Sequence, residues 1–140
     1  MASPVYFWDL KASRKAPFDV RIRRLLKKTG FSGHIKSGDL IGLKIHFGEK
    51  GTTAFLRPLW LKPIVDFFRK QGAKPFLTDT NTLYVGERGE SVSHSLQAAA
   101  HGFDPNVLGA PVIIADGIKS GNERNIKYQG THFQSLFLAG

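Results

Sequence analysis

The sequence predicts an α/β domain of three layers, built from strand–helix units, with a mostly parallel sheet of at least four strands and a C-terminal antiparallel hairpin. Four apolar runs rich in β-branched and aromatic residues begin at Val5, Leu40, Pro75 and Pro111, so their starts are 35 or 36 residues apart. That interval fits one strand–helix–loop unit. Near-continuous apolar runs are typical of strands buried on both faces of a parallel sheet, and the segments between them have helical spacing.

Two amphipathic helices are expected between the first three runs. The first starts near Pro17 and ends before Gly30, since proline fits a first helical turn and glycine fits the position just past the end. The second stops at Gly72 and has Pro58 and Pro63 at or near its start, because a proline inside a helix loses a hydrogen bond and clashes.

The last third of the chain predicts a weaker helix and then a hairpin. The helix runs from about Ser91, a plausible N-cap, to His101. Residues 124–139 alternate apolar and polar around Gln129-Gly130, which predicts two antiparallel strands. The chain then ends on a nearly apolar stretch, which favours a piece of a longer protein.

Length and composition restrict the class of protein. With 140 residues and 41% hydrophobic residues, one globular domain spanning residues 1–140 is expected. The absence of cysteine excludes disulfides, thiolate zinc sites, a cysteine nucleophile and an iron–sulfur cluster held by this chain alone. The sequence has no apolar run long enough for a membrane span and no leader-like N-terminus, so we expect a soluble cytoplasmic protein without a membrane partner.

The chain is strongly basic, with a formal net charge of +9. Such a charge attracts polyanions, so a nucleic-acid-binding domain is one interpretation. However, the densest basic cluster, residues 21–28, occupies the solvent face that the first helix must have in any case. Nucleic-acid binding is therefore kept only as an alternative.

Polar side chains follow each predicted strand. Asp9, Lys44 with His46, Asp79, and Asp116 come at or just after the ends of the four runs. Because the carboxyl ends of parallel strands meet at one edge of a sheet, where open α/β sheets bind ligands, we expect these residues on a common rim.

Lys44 and His46 are two residues apart in a strand and therefore share a face. Either Asp79 or Asp116 neutralises Lys44 as a structural ion pair, or Lys44 and His46 bind an anionic group. The two interpretations are compatible, and both stay open.

The segments after the second and third runs also allow two interpretations. The segment 48–53 joins a strand to a helix start, and its backbone N–H groups either hold a phosphate or carboxylate or simply form a turn. Asp79 and Asn81 either cap local turns or, with Asp116 and with Asp9 as a further candidate, hold a hard cation. The carboxylates Asp79 and Asp116 are weak metal candidates, since no dense metal-ligand spacing supports them.

These observations favour a module that binds a small anionic ligand at the rim. The expected ligand-binding residues are Lys44, His46, Gly48, Glu49, Thr52, Asp79, Thr80, Asn81, Asp116 and Gly117. An enzyme that uses the same rim for metal-assisted or proton-transfer chemistry is the alternative, with His46 as candidate general base. A third hypothesis is pairing of the hairpin with another subunit or with a further domain.

Three strings of the sequence resemble a known family. Residues 44–51 (KIHFGEKG), 74–84 (KPFLTDTNTLY) and 110–117 (APVIIADG) are similar to domain-of-unknown-function family 362, whose members are often described as uncharacterised proteins with an iron–sulfur centre. The resemblance implies the N-terminal region of such a protein. It also implies a [4Fe–4S] cluster in a cysteine-containing C-terminal segment that this chain lacks, and therefore no cofactor in this chain.

Overall fold

The computed structural model of the protein describes residues 3–9, 11–127, 130–132 and 135–139. In chain order the elements are α1 (Phe18–Lys28), β1 (Leu40–Lys44), α2 (Pro58–Arg69), β2 (Lys74–Asp79), α3 (Ser91–Ala100), α4 (Pro105–Leu108), β3 (Val112–Ile114), β4 (Glu123–Lys127) and β5 (Ser135–Ala139). A 3₁₀ turn over Phe31–His34 follows α1. The α/β class is confirmed.

The central sheet is parallel and has the strand order β1-β2-β3. Leu43 pairs with Leu77, and Leu77 pairs with Val112, so all three strands present their carboxyl ends at one edge. Helix α2 connects β1 to β2, and helices α3 and α4 connect β2 to β3.

The predicted strand at Val5 is wrong for the described residues, and there the mostly parallel sheet has three strands instead of the predicted four or more. Residues 5–9 form no strand, and the side chains of Val5 and Phe7 are 90% and 85% exposed. Leu10 lies outside the described residues. An apolar run becomes a strand only where a neighbouring edge takes its backbone hydrogen bonds, and in the described chain the segment is instead attached to α1 through Asp9 and Arg21.

The prediction of three layers is also corrected, because the helices of the described chain lie on one face of the sheet. Leu26 of α1 and Ile64 of α2 pack with Ile41 and Leu43 of β1. Right-handed crossovers between strands that step in one direction place their helices on the same side. The opposite face is open to solvent, where Leu40 is 73% and Ile113 is 48% exposed.

The core lies between the sheet and the helices. Among the described residues, a smaller cluster consists of Phe67, Phe68 and Ala73. The main cluster contains nine buried side chains: Phe47, Leu61, Val65, Leu77, Ala98, Phe103, Leu108, Ala110 and Ile114. Helix α2 contributes two of them and begins at Pro58 as predicted, but Pro63 lies inside the helix, where its ring is buried.

The start of helix α3 differs by one residue from the prediction. The N-cap of α3 is Glu90, not Ser91, since the Glu90 carboxylate accepts the backbone N–H groups of Val92 and Ser93.

Strands β4 and β5 pair antiparallel as a separate two-stranded sheet. Their connection includes residues 128–129 and 133–134, so the predicted turn at Gln129-Gly130 lies partly outside the described residues. Each helix in the described ranges is too short or too polar to cross a bilayer.

Candidate ligand-binding site

The carboxyl ends of the three parallel strands bring sequence-distant polar residues to one rim. Lys44 at the end of β1 forms an ion pair with Asp79 at the end of β2. Asp116, two residues beyond β3, accepts the backbone N–H of Asn81 at 2.9 Å. The expected convergence of these residues is therefore present, and the structural ion pair of Lys44 is made with Asp79.

Asp79 is the buried anchor of the rim, with 1% of its side chain exposed. Its Oδ1 accepts Lys44 Nζ and the backbone N–H of Thr80 at 2.9 Å, and its Oδ2 accepts Arg88 Nη2 at 2.9 Å. Burial by itself raises the pKa of Asp79, but the contacts with His94, Lys44 and Thr80 outweigh it and hold the pKa far below its ordinary value. Asp79 is therefore ionised at neutral pH.

Arg88 connects most of the site, although no pattern in the sequence selects it. Its side chain is 6% exposed and contacts two carboxylates and two imidazoles. Nη1 lies 2.6 Å from both His46 Nε2 and Glu49 Oε1, Nε donates to His94 Nε2 at 3.2 Å, and Nη2 binds Asp79. Arg88 is in the loop between β2 and α3, and a lone arginine in a polar loop has no distinguishing spacing.

His46 and Glu49 form the accessible part of the site. The side chain of His46 is 58% exposed, and its Nδ1 accepts the backbone N–H of Gly48 at 3.0 Å. Glu49 Oε1 accepts the Tyr84 hydroxyl at 2.6 Å in addition to Arg88. These two hydrogen bonds, that of Tyr84 first, lower the pKa of Glu49 despite some burial. The carboxylate of Glu49 is thus an anion that lies against Arg88 at the surface.

A second set of hydrogen bonds supports the rim from within. His94 of α3 is fully buried, packs edge-on against Phe47 and has its Nδ1 3.3 Å from Asn81 Oδ1. Asn81 Nδ2 donates to Ser91 Oγ at 3.1 Å and to the Gly117 carbonyl at 3.3 Å. The helical position of His94 alone favours an exposed residue, and only the parallel sheet brings it beneath the site.

Asn81 and Gly117 therefore have structural contacts at the rim. Asp116 Oδ1 is buried and has no hydrogen-bond partner within the described residues.

The segment 48–53 differs from the expected anion cradle. Helix α2 begins only at Pro58, so the segment does not face its first turn. The N–H of Glu49 bonds to Thr52 Oγ1 at 3.3 Å, and the N–H of Thr52 bonds to the Glu49 carbonyl at 3.0 Å. Gly48 has φ 88°, and a Cβ there would lie 2.5 Å from His101 Nδ1. The backbone N–H groups of Glu49 and Thr52 are therefore used within the loop, and the loop positions the Glu49 side chain.

Two other expectations are corrected. Asp9 does not reach the rim, because it is held by Arg21 at 2.8 Å on α1. As for the weak metal candidates, the described residues contain no group of three or more metal-ligating side chains. Asp79 is already engaged by Lys44 and Arg88, and Asp116 Oδ2 accepts the backbone N–H of Asn81.

Comparison with known proteins identifies a family but no characterised relative. A family model described as "Domain of unknown function (DUF362)" matches residues 41–140, which is more than half of the chain. The chain therefore belongs to the DUF362 family, as the resemblance indicated, and the match includes every rim residue. No curated protein and no solved structure matches the chain. With no cysteine in the sequence, this chain supplies no thiolate to an iron–sulfur cluster.

Proposed function

We propose that this DUF362 domain binds a small anionic molecule, a carboxylate or a phosphate, at the rim formed by Lys44, His46 and Arg88. The observation that carries the proposal is the placement of Glu49. Its carboxylate occupies the Nη1 edge of a nearly buried guanidinium, at a point that solvent can reach. We interpret the Glu49 carboxylate as occupying the position that the anionic group of the ligand would take.

Arg88 is preorganised for such a ligand. Asp79 and His94 fix its Nη2 and Nε from below, so Nη1 keeps its direction when Glu49 leaves. A preorganised donor gives up little conformational entropy on binding, which is where much of the cost of association lies. A charge-assisted hydrogen bond from Arg88 to the ligand would replace the one to Glu49.

Lys44 and His46 would complete the contact. The Lys44 side chain is 67% exposed although its ammonium group is paired with Asp79, so one ammonium can face both Asp79 and a ligand. The Nε2 of His46 lies 2.6 Å from Arg88 Nη1, and the ring is oriented by the Gly48 N–H. Asp79 acts as a positioning residue, because it holds Lys44 and Arg88 in place and is too deeply buried to contact the ligand itself.

The test is calorimetric titration and thermal shift with phosphate and with malonate at constant ionic strength. We expect the wild type to be stabilised by at least one of these anions, and Lys44→Met/His46→Ala to lose most of that stabilisation. Glu49→Gln should bind the anion at least several-fold more tightly than wild type, because the competing carboxylate is gone.

Glu87→Gln is the matched control for Glu49→Gln. Glu87 pairs with exposed Lys50 at 3.1 Å next to the site, so its substitution removes the same charge without touching Arg88. Equal gains in Glu49→Gln and Glu87→Gln would mean that only the general field matters and would reject the displacement of Glu49. Failure of both anions to bind the wild type and Glu49→Gln would reject the proposal as a whole.

Proton transfer by His46 is the second candidate, and the exposure of its ring favours it. A general base must be reachable by substrate and held in one orientation, and His46 meets both conditions. If bound malonate exchanges its α-protons for deuterium faster in the presence of wild type than of His46→Gln, the module is also a catalyst. Equal exchange rates would leave anion binding alone.

A further inference from the structure

The positive charge of this protein is concentrated away from the rim. A groove of about 430 Å³ lies between α1 and the end of α2, and it is lined by Arg23, Lys27, Ser32, Phe67, Lys70 and Gln71. We call this the basic groove. Three of its six lining residues are cations, and two of these come from α1, before the family match begins at residue 41.

The cations of the basic groove are poorly neutralised. Arg23 pairs with Asp19 in the preceding turn of α1. Lys27 and Lys70 are exposed and form no ion pair with any described residue, in contrast to Lys44 at the rim. Each lies at or next to the C-terminal end of its helix, where a cation is favourable. Because both lysines line one groove, however, their like charges repel each other. An anion between the helices would remove that repulsion.

The residue directly before Ser32 of the groove lining is an exposed aromatic. Phe31 opens the 3₁₀ turn that contributes Ser32 to the groove, and it is 54% exposed. It differs in this respect from Phe67, which lines the groove but is only 6% exposed. A cationic track with a neighbouring aromatic face is the combination by which proteins hold single-stranded nucleic acids without reading their sequence.

We propose that the basic groove binds the phosphodiester backbone of single-stranded nucleic acid, with one base stacked on Phe31. The surface is separate from the rim and does not depend on the anion site there. The cations contribute the salt-dependent part of the affinity, and the ring contributes a part that does not depend on salt.

The test is fluorescence anisotropy with labelled dT₁₂ and rU₁₂ between 25 and 200 mM NaCl. We expect the logarithm of the binding constant to fall linearly with the logarithm of salt, with a slope of about −2, since each neutralised phosphate of a single strand contributes roughly −0.7. The relative affinities of the two oligonucleotides identify RNA or DNA as the preferred strand. A common affinity identifies the shared backbone as the ligand.

Two variants separate charge from stacking. Lys27→Glu/Lys70→Glu should lower the affinity at least tenfold and flatten the salt slope. Phe31→Ala should lower the affinity about 5- to 150-fold with an unchanged slope, because base stacking on an aromatic ring is worth roughly 1–3 kcal/mol. The folded state of each variant is checked by its thermal unfolding curve.

Lys15→Glu/Lys119→Glu is the matched control, since both lysines are exposed and the change in net charge is the same. An equal loss of affinity in this control would show that binding follows net charge alone and would overturn the proposal. So would the absence of binding at 25 mM NaCl, or binding to vesicles containing 30% phosphatidylserine with no binding to either oligonucleotide. Retention of wild-type affinity by the control supports the groove.

Discussion

The rim and the basic groove hold their cations in opposite ways. At the rim, Lys44 and Arg88 are matched by Asp79 and Glu49, and the central pair of Arg88 with Asp79 is almost fully buried. At the basic groove, Lys27 and Lys70 are exposed and have no carboxylate partner among the described side chains. Helix α1 alone carries five cations and one carboxylate, whereas Lys44 and Arg88 of the rim both pair with a carboxylate.

This difference teaches how burial decides whether a charge must be paired. Removing a guanidinium from water costs several kcal/mol unless carboxylates and hydrogen bonds replace the solvent, so a buried Arg88 requires Asp79. An exposed lysine keeps its hydration and needs no partner. The buried ion pair of the rim therefore contributes to the stability of the fold, whereas the exposed lysines of the basic groove keep their charge available for an anionic ligand.

The largest effect is expected from breaking the buried ion pair. Arg88→Met should lower the free energy of unfolding by about 3–5 kcal/mol, because it leaves Asp79 buried with one cation fewer. Lys70→Met, which removes a cation of the basic groove, should change it by no more than about 0.5 kcal/mol. Urea denaturation at pH 7 measures both values.

The result also separates two interpretations of Arg88. A loss of less than about 1 kcal/mol in Arg88→Met would mean that water or Lys44 replaces the guanidinium. The rim would then not be the rigid region that the comparison assumes.

The sequence predicted the location of the site better than its central residue. Lys44, His46, Asp79 and Asp116 could be placed together because each follows an apolar strand, and parallel strands share an edge. Arg88 and Glu49 could not be assigned their roles, since both are in loops whose course depends on tertiary contacts rather than on spacing.

The errors in the predicted fold have the same physical origin. The run at Val5 has the composition of a strand, but composition does not supply the neighbouring edge that a strand requires. The number of layers depends on the order of the strands in the sheet, which no local pattern encodes. In contrast, α1 and α2 were predictable because proline, glycine and the apolar stripe all act within one helix.

An intermediate effect is expected from acid. The folded-state pKa of Asp79 is lowered below its reference value of 3.8, so the carboxylate contributes stability above that pH. Below it the unfolded chain takes up the proton first, and the contribution is lost as the pH falls further toward the folded-state pKa, at up to about 1.4 kcal/mol per pH unit.

Urea denaturation of wild type and Asp79→Asn at pH 5, 4 and 3 measures this contribution. The difference in stability between the two proteins should be largest at pH 5 and should shrink at pH 3. A difference that stays constant over this range would mean that Asp79 titrates normally in the folded protein.

The smallest effect is expected from salt at the basic groove. Raising NaCl from 20 to 300 mM screens the repulsion between exposed like charges, whereas the buried rim pairs are screened much less. The wild type should therefore gain roughly 0.5 kcal/mol of unfolding free energy, and Lys27→Gln/Lys70→Gln should gain clearly less, while Lys15→Gln/Lys119→Gln should gain nearly as much as wild type. If the two double variants respond alike, the repulsion is spread over the whole surface, and the groove is not a distinct concentration of unpaired charge.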